Sequence, residues 1–183
     1  MPTLLTMNIQ LEQPFKLFTE QQCSQLILRA RQLELKQGQV LGGDPLRQHR
    51  TNHAYWLDLE SHEHDSLWNL VEPWHSLLGL TWMQKPTQIS RYQQGEFYDW
   101  HPDSFSQAHK KSVRALTLTC TLQSAQGAFF ETRRGSYDLA AGEAILFPSE
   151  LEHRACAPTA GERWAFTVWY MRPNLDVLGQ VVE

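Results

Sequence analysis

Four residues in this 183-residue chain have types and spacing that could do chemistry together: His101, Asp103, His153 and Arg163. Two imidazoles and one carboxylate leave positions open on a bound ion, which is the donor set that holds a reactive non-haem Fe(II). The same three ligands also suit a hydrolytic zinc site. An arginine on a strand just beyond the second histidine would stand where a dicarboxylate could be gripped by the guanidinium fork. No piece decides alone. His-x-Asp recurs often by chance, and a single histidine is as readily a satisfied core residue.

The local sequence says how these side chains could converge. Residues i and i+2 of a strand share a face, so His101 and Asp103 can point at one ion. Pro102 between them cannot donate a ladder hydrogen bond, which puts the pair at a strand end or edge. Gly142 opens a unit whose apolar strand ends at Phe147-Pro148-Ser149, and His153 begins the next strand. Ala157-Pro158-Thr159-Ala160-Gly161 reads as a turn. Antiparallel pairing of 153–157 with 163–167 about Pro158 would set residues 153 and 163 opposite each other, with Cβ atoms about 5 Å apart. An arginine buried beside metal ligands is costly without an anion. Its competing reading is a surface ion pair with Glu162.

Two kinds of element must carry this site. Thr19 to Leu35 is predicted helical, with Thr19 as N-cap, Gln22 in the capping-box position, and Leu26, Ile27 and Leu33 on one stripe. Residues 38–45 read as a loop, 54–59 as a strand, and 63–78 as a second helix interrupted by Pro73 and closed by Gly79. After Thr81 the segments become short, aromatic and β-branched. Strands are predicted at 88–92, 97–102, 113–122, 127–131, 144–147, 153–157 and 163–171, a pattern of sandwich or jelly-roll type. The prediction is a single domain over 1–183, with 1–80 a helical support region and 81–172 the catalytic β core.

Composition narrows the class. A formal charge of −4 gives no basic stripe for nucleic acid. Cys23, Cys120 and Cys156 are an odd set without Cys-x-x-Cys, which reads as buried thiols in a reducing compartment. The first residues lack a signal-peptide pattern, and no apolar run nears the roughly 18 residues of a membrane span. These features predict a soluble cytoplasmic protein. Trp56, Trp68, Trp74 and Trp82 read as core or helix-packing residues. His49, His53, His62 and His64 read as solvated rather than as a second metal site, and Arg133-Arg134 as a solvated turn.

From Ile89 to Tyr170 the chain resembles the 2-oxoglutarate- and Fe(II)-dependent dioxygenases, in particular their prolyl-4-hydroxylase-like branch. The resemblance rests on Arg91-Tyr92-x-x-Gly95-x-x-Tyr98-x-x-His101-x-Asp103, Arg114-x-Leu116-Thr117, Phe147-Pro148-Ser149-x-x-x-His153, Arg163 and Trp169. It implies an α+β fold, a double-stranded β-helix (jelly-roll) core with N-terminal helices packed against it. It also implies that His101, Asp103 and His153 bind Fe(II) and that Arg163 binds the distal carboxylate of 2-oxoglutarate. O2 is the second co-substrate and ascorbate an accessory reductant. Tyr92 resembles the phenol that hydrogen-bonds the co-substrate, Tyr98 a pocket-lining residue near the metal. Thr117, Thr119 and Thr121 alternate on one strand and are candidate pocket hydroxyls, although β-propensity alone explains them equally well.

The resemblance therefore implies hydroxylation of an aliphatic C–H, in an amino-acid residue of a polypeptide or in a free amino acid. Two departures stand out. Residues 127–131 read Gly-Ala-Phe-Phe-Glu where relatives often pair glycines, and the segment from Arg163 lacks the second arginine and asparagine of nucleic-acid dealkylating relatives. Residues 38–52 and 104–112 are candidate lids. The alternative is a non-redox, cupin-like protein that holds a metal or ligand, against which Arg163 and Tyr92 weigh because a simple metal holder needs no dicarboxylate clamp.

Overall fold

The computed structural model describes residues 9–33, 36–37, 49–104 and 111–174. The loop expected at 38–45, and most of both candidate lids, lie outside the described residues. The first helix, α1 (Glu20–Arg31), starts where its capping chemistry dictates. Gln22 N donates to Thr19 Oγ1, and Thr19 N donates back to Gln22 Oε1. Its buried stripe is Cys23, Leu26, Ile27 and Ala30. The second predicted helix is two, α2 (Ser61–Leu70) and α3 (Glu72–Leu78), broken at Val71. Pro73 falls in the first turn of α3, where a missing N–H leaves no bond unmade. Gly79 closes α3 at φ 63°, a left-handed cap that favours glycine.

The strands are β1 (Phe15–Lys16), β2 (Lys36–Gln37), β3 (His53–Leu57), β4 (Trp82–Met83), β5 (Thr87–Tyr92), β6 (Tyr98–His101), β7 (Ser112–Gln123), β8 (Phe130–Thr132), β9 (Gly135–Tyr137), β10 (Glu143–Pro148), β11 (His153–Ala155) and β12 (Arg163–Pro173). Among the described residues they form two antiparallel sheets. The major sheet runs β1-β10-β7-β12-β5-β3-β2 with β4 also on β12, and the minor sheet runs β6-β11-β8-β9. This is the double-stranded β-helix. The first 80 residues supply more than helices, since β1, β2 and β3 complete the major sheet on either side. At Gly142 (φ 80°) an added Cβ would collide with the Phe18 carbonyl oxygen, so the turn into β10 can pass close under the helix entry only as glycine.

One expected pairing does not form. β11 pairs with β6 and β8, whereas β12 pairs with β5, β7 and β4. The turn about Pro158 is a crossing between sheets, tied by Thr159 N to Gln126 O and by the Gln126–Ala160 bridge. His153 and Arg163 therefore lie in different sheets, not side by side in one hairpin.

The major sheet has one dry face. Leu116, Leu118, Cys120, Leu122, Trp164, Phe166, Val168 and Tyr170 meet α1 residues Cys23, Leu26, Ile27 and Ala30 in one cluster with Leu67 of α2. Trp68 and Trp74 pack against that cluster as expected. Trp56 and Trp82 do not, being 37% and 43% exposed. The pleat explains Trp56: its neighbours Tyr55 and Leu57 take the core side of β3, which turns residue 56 the other way.

Candidate active site

The opposite face of the major sheet and the inner face of the minor sheet enclose a cavity of about 110 Å³. A single water needs about 10–15 Å³ of such space, so the cavity has room for a small organic molecule as well as an ion. It is lined by His101, Asp103 and His153, by Tyr92, Tyr98, Thr117, Thr119 and Arg163, and by Arg50, Arg114 and Trp169 among others. Thr121, though buried, is not among its lining residues.

The two histidines are direct cross-strand partners, His101 at the end of β6 and His153 at the start of β11. Their ring centroids are 4.3 Å apart. Asp103 lies just past β6, held by its own N–H on the Ser149 carbonyl at 2.8 Å. Proline at 102 ends the strand as its chemistry requires. Both rings are fixed from behind by backbone carbonyls. His101 Nδ1 lies 2.6 Å from Asp99 O, and His153 Nδ1 lies 2.9 Å from Leu151 O. A carbonyl can only accept, so each Nδ1 carries a proton, and in the neutral ring the lone pair falls on Nε2. Those Nε2 atoms face the Asp103 carboxylate at 3.8 and 3.6 Å. The three side chains offer ligand atoms within 4.8 Å of one another, the one such group of three found among the described residues.

The surroundings set the charge state. Burial, then the neighbouring His153, drives the His101 pKa down to about 3, so its ring is neutral and ready to donate a lone pair. Burial alone would raise the Asp103 carboxyl, but the positive charge that His153 and His101 carry when protonated, Arg114 and the Trp169 hydrogen bond together hold it below its ordinary value. Asp103 Oδ2 accepts from Thr117 Oγ1 at 2.9 Å and from Trp169 Nε1 at 2.8 Å. Since Thr117 has one proton and gives it to the carboxylate, Ser149 Oγ must donate to Thr117 at 2.9 Å. Thr117, expected to meet the co-substrate, thus spends its hydroxyl on the acid. Tyr98 stacks on His101 at 3.4 Å between centroids, and Phe147 packs edge-on to His153 at 4.8 Å.

Arg163 begins β12 opposite Tyr92. It is 2% exposed, and its Nε has no hydrogen-bond partner among the described residues. Its guanidinium carbon stands 5.4 Å from the Tyr92 ring centroid. Burial pushes its pKa down, yet a guanidinium stays charged, so this is a desolvated cation awaiting an anion. Glu162 is engaged elsewhere, accepting from Arg31 and Trp164 Nε1.

A family described as the 2OG-Fe(II) oxygenase superfamily matches residues 87–171. That match takes in His101, Asp103, His153 and Arg163. A PKHD-type hydroxylase of Psychrobacter sp. (strain PRwf-1) is 28% identical over 167 residues, covering 81% of this chain and 64% of the relative. The chain thus spans less than two thirds of that protein's length. The fold recurs in a Pseudomonas putida prolyl-4-hydroxylase (TM-score 0.70, 18% identity, 88% of this chain and 92% of that one). It also recurs in a viral collagen prolyl hydroxylase from Paramecium bursaria Chlorella virus-1 (0.68, 17%, 87% and 95%). A third structural relative is a Trichoplax adhaerens prolyl hydroxylase in complex with a hypoxia inducible factor peptide (0.63, 17%, 93% and 87%).

The other candidates fall outside this site. His49 faces Asp99 at 3.8 Å and His53 faces Glu96 at 3.3 Å, while Glu63 is spent on Arg29 at 2.8 Å. Arg133 and Arg134 sit in an exposed turn but are ion-paired with Glu152 and Glu12. Sequence reasoning missed Arg50 and assigned no role to Arg114, Trp169 or Ser149. For Trp169 a signal was there: counting by twos from Arg163 along β12 reaches it on the same face.

Proposed function

We propose that the protein is an Fe(II)- and 2-oxoglutarate-dependent dioxygenase that hydroxylates an aliphatic C–H, with a prolyl residue of a peptide as the favoured substrate. One observation carries this reading: a fully buried arginine, its Nε without a partner among the described residues, shares a cavity with two imidazoles and a carboxylate whose ligand atoms converge. In this reading His101 Nε2, Asp103 and His153 Nε2 hold the iron, and Arg163 holds the distal carboxylate of 2-oxoglutarate by a charge-assisted pair. Tyr92, its cross-strand neighbour, supplies a phenol to the same co-substrate. Tyr98 keeps the His101 ring in place.

The donor set fits iron. Both imidazoles present Nε2, the carboxylate is ionised, and three ligands leave room for co-substrates. Bound Fe(II) supplies the oxidising chemistry: O2 and 2-oxoglutarate are converted to succinate and CO2 while one oxygen atom enters the substrate C–H bond. The chain's own contribution is orientation and exclusion of water. The peptide preference draws on the fold shared with prolyl hydroxylases, one of them bound to a peptide. The one-domain organisation over 1–183 and a reducing, cytoplasmic setting for the three free thiols belong to the same proposal.

Incubation with Fe(II), ascorbate and 2-oxoglutarate should yield succinate without added substrate, and faster with a proline-containing peptide that gains one oxygen by mass spectrometry. Tight zinc content with no succinate would instead support the metal-holding or hydrolytic alternatives.

A further inference from the structure

The cavity holds more positive charge than the proposed metal and co-substrate can use. Among the described residues, its charged lining side chains are three arginines (Arg50, Arg114 and Arg163) against one carboxylate, Asp103. Doubly charged Fe(II) and doubly charged 2-oxoglutarate cancel each other, and Arg163 is taken by the co-substrate. Two guanidiniums then remain in excess.

Both are built in rather than incidental. Arg50 is 7% exposed, its Nη2 is buried without a hydrogen-bond partner among the described residues, and its guanidinium lies 4.5 Å over the Tyr98 ring. Arg114 lies 3.8 Å over the Trp169 ring. Each is aimed by a neutral amide: Arg50 Nε donates to Asn52 Oδ1 at 2.7 Å, and Arg114 Nε donates to Gln84 Oε1 at 3.1 Å. An amide oxygen orients a guanidinium without neutralising it. The one carboxylate that Arg114 meets among the described residues is Asp103 at 4.0 Å, which the two histidines and the metal also claim. The neighbouring acids Asp99 and Glu96 face His49 and His53 and do not line the cavity. A buried cation oriented but not neutralised is costly unless an anion completes it.

We infer that Arg50, with Arg114, forms a carboxylate subsite for the substrate, so that the group to be hydroxylated is presented by a molecule carrying a carboxylate near the reacting carbon. The inference rests on the hydroxylase reading for the identity of the cavity's other occupants. A carboxylate could come from a chain terminus or free amino acid, or from an acidic side chain in a peptide. A guanidinium fork serves either alike.

Protein loaded with Fe(II) and 2-oxoglutarate under argon can be titrated by calorimetry with N-acetylglycine and with N-acetylglycinamide, probes that differ in one charge and demand no side-chain pocket. The acid should bind at least about tenfold tighter than the amide. Arg50→Gln should abolish that preference and Arg50→Lys should retain part of it, with thermal unfolding as the folding control. A capped aspartyl peptide amide, titrated in parallel, names the source of the carboxylate. Equal binding of acid and amide by the unaltered protein, or no binding of the acid, overturns the inference. So does a preference that survives Arg50→Gln while 2-oxoglutarate affinity falls, because Arg50 would then serve the co-substrate. Uncoupled succinate formation by the unaltered protein tests the hydroxylase reading separately, and its absence would sink that reading instead.

Discussion

The two faces of the major sheet are made by the same strands and live in opposite environments. Along β12, Arg163, Ala165, Thr167 and Trp169 line the cavity, while Trp164, Phe166, Val168 and Tyr170 enter the apolar cluster under α1. β7 repeats the division, with Thr117 and Thr119 on one side and Leu116, Leu118, Cys120 and Leu122 on the other. β5 does so again, with Gln88 and Tyr92 against Ile89. A period of two lets each strand serve a dry core and a polar site at once. It also locks the register, because a slip of one residue would drive Arg163 into the aliphatic cluster. The dry face gains stability from burial, whereas the cavity face spends some of it on buried charges that only ligands complete.

The comparison predicts that substitutions on one face should cost function and on the other stability. The largest effect belongs to Asp103, the carboxylate proposed to hold the metal with the two histidines. Asp103→Ala should lower succinate formation by at least about a thousandfold, the several kcal/mol a metal supplies to its reaction. Metal analysis should show Fe(II) lost while the thermal midpoint of the metal-free protein stays put or rises. A clear drop in that midpoint would mean the acid is structural. On the other face, Phe166→Ala should destabilise the fold by about 3–5 kcal/mol, since the ring is fully buried and meets Phe18 edge-on at 5.5 Å. Denaturant titration reads that loss, and the folded fraction should bind 2-oxoglutarate with unchanged affinity.

The same alternation explains what could be read in advance. The strand-end position of His101 and Asp103, the capping box at Thr19 and the cavity-facing arginine on β12 are local patterns, set within a few residues. Side-chain period and turn chemistry expose such things directly. The sheet to which β11 belongs is not local. A proline- and glycine-containing turn between two short strands reads alike whether it closes a hairpin or crosses between sheets, and here it crosses. Arg50 was illegible for a related reason. It is placed by an isolated bridge to Tyr98 rather than by a periodic element, and its value comes from what stands around the cavity. The two-residue strands β1, β2 and β4 have no period to detect and are defined by the strands they border. Trp56 was misjudged because size suggested core, while the pleat of β3 turns it toward the cavity.

Smaller effects sharpen the comparison within the cavity face. Arg163→Ala should weaken 2-oxoglutarate binding by about 2 kcal/mol, roughly 30-fold, the scale of one lost charge-assisted partner. Its thermal midpoint without ligand should hold or rise, since a desolvated cation is removed. Calorimetry showing unchanged affinity would take Arg163 out of its proposed role.

The smallest of these changes tests how far the site reaches behind its ligands. Thr117→Val keeps the shape of the side chain but removes the hydroxyl that gives a proton to Asp103 Oδ2 and takes one from Ser149. Trp169 Nε1 still holds the same oxygen at 2.8 Å, so the carboxylate should stay in place with one restraint fewer. Fe(II) affinity should fall by about tenfold, the lower end for losing a hydrogen bond to a metal ligand, while affinity for 2-oxoglutarate, measured at saturating metal, should change little. A fall confined to 2-oxoglutarate would make Thr117 a pocket hydroxyl that serves the co-substrate, as its place on the strand suggested. A fall in both would mean that iron and co-substrate affinity both depend on this hydroxyl.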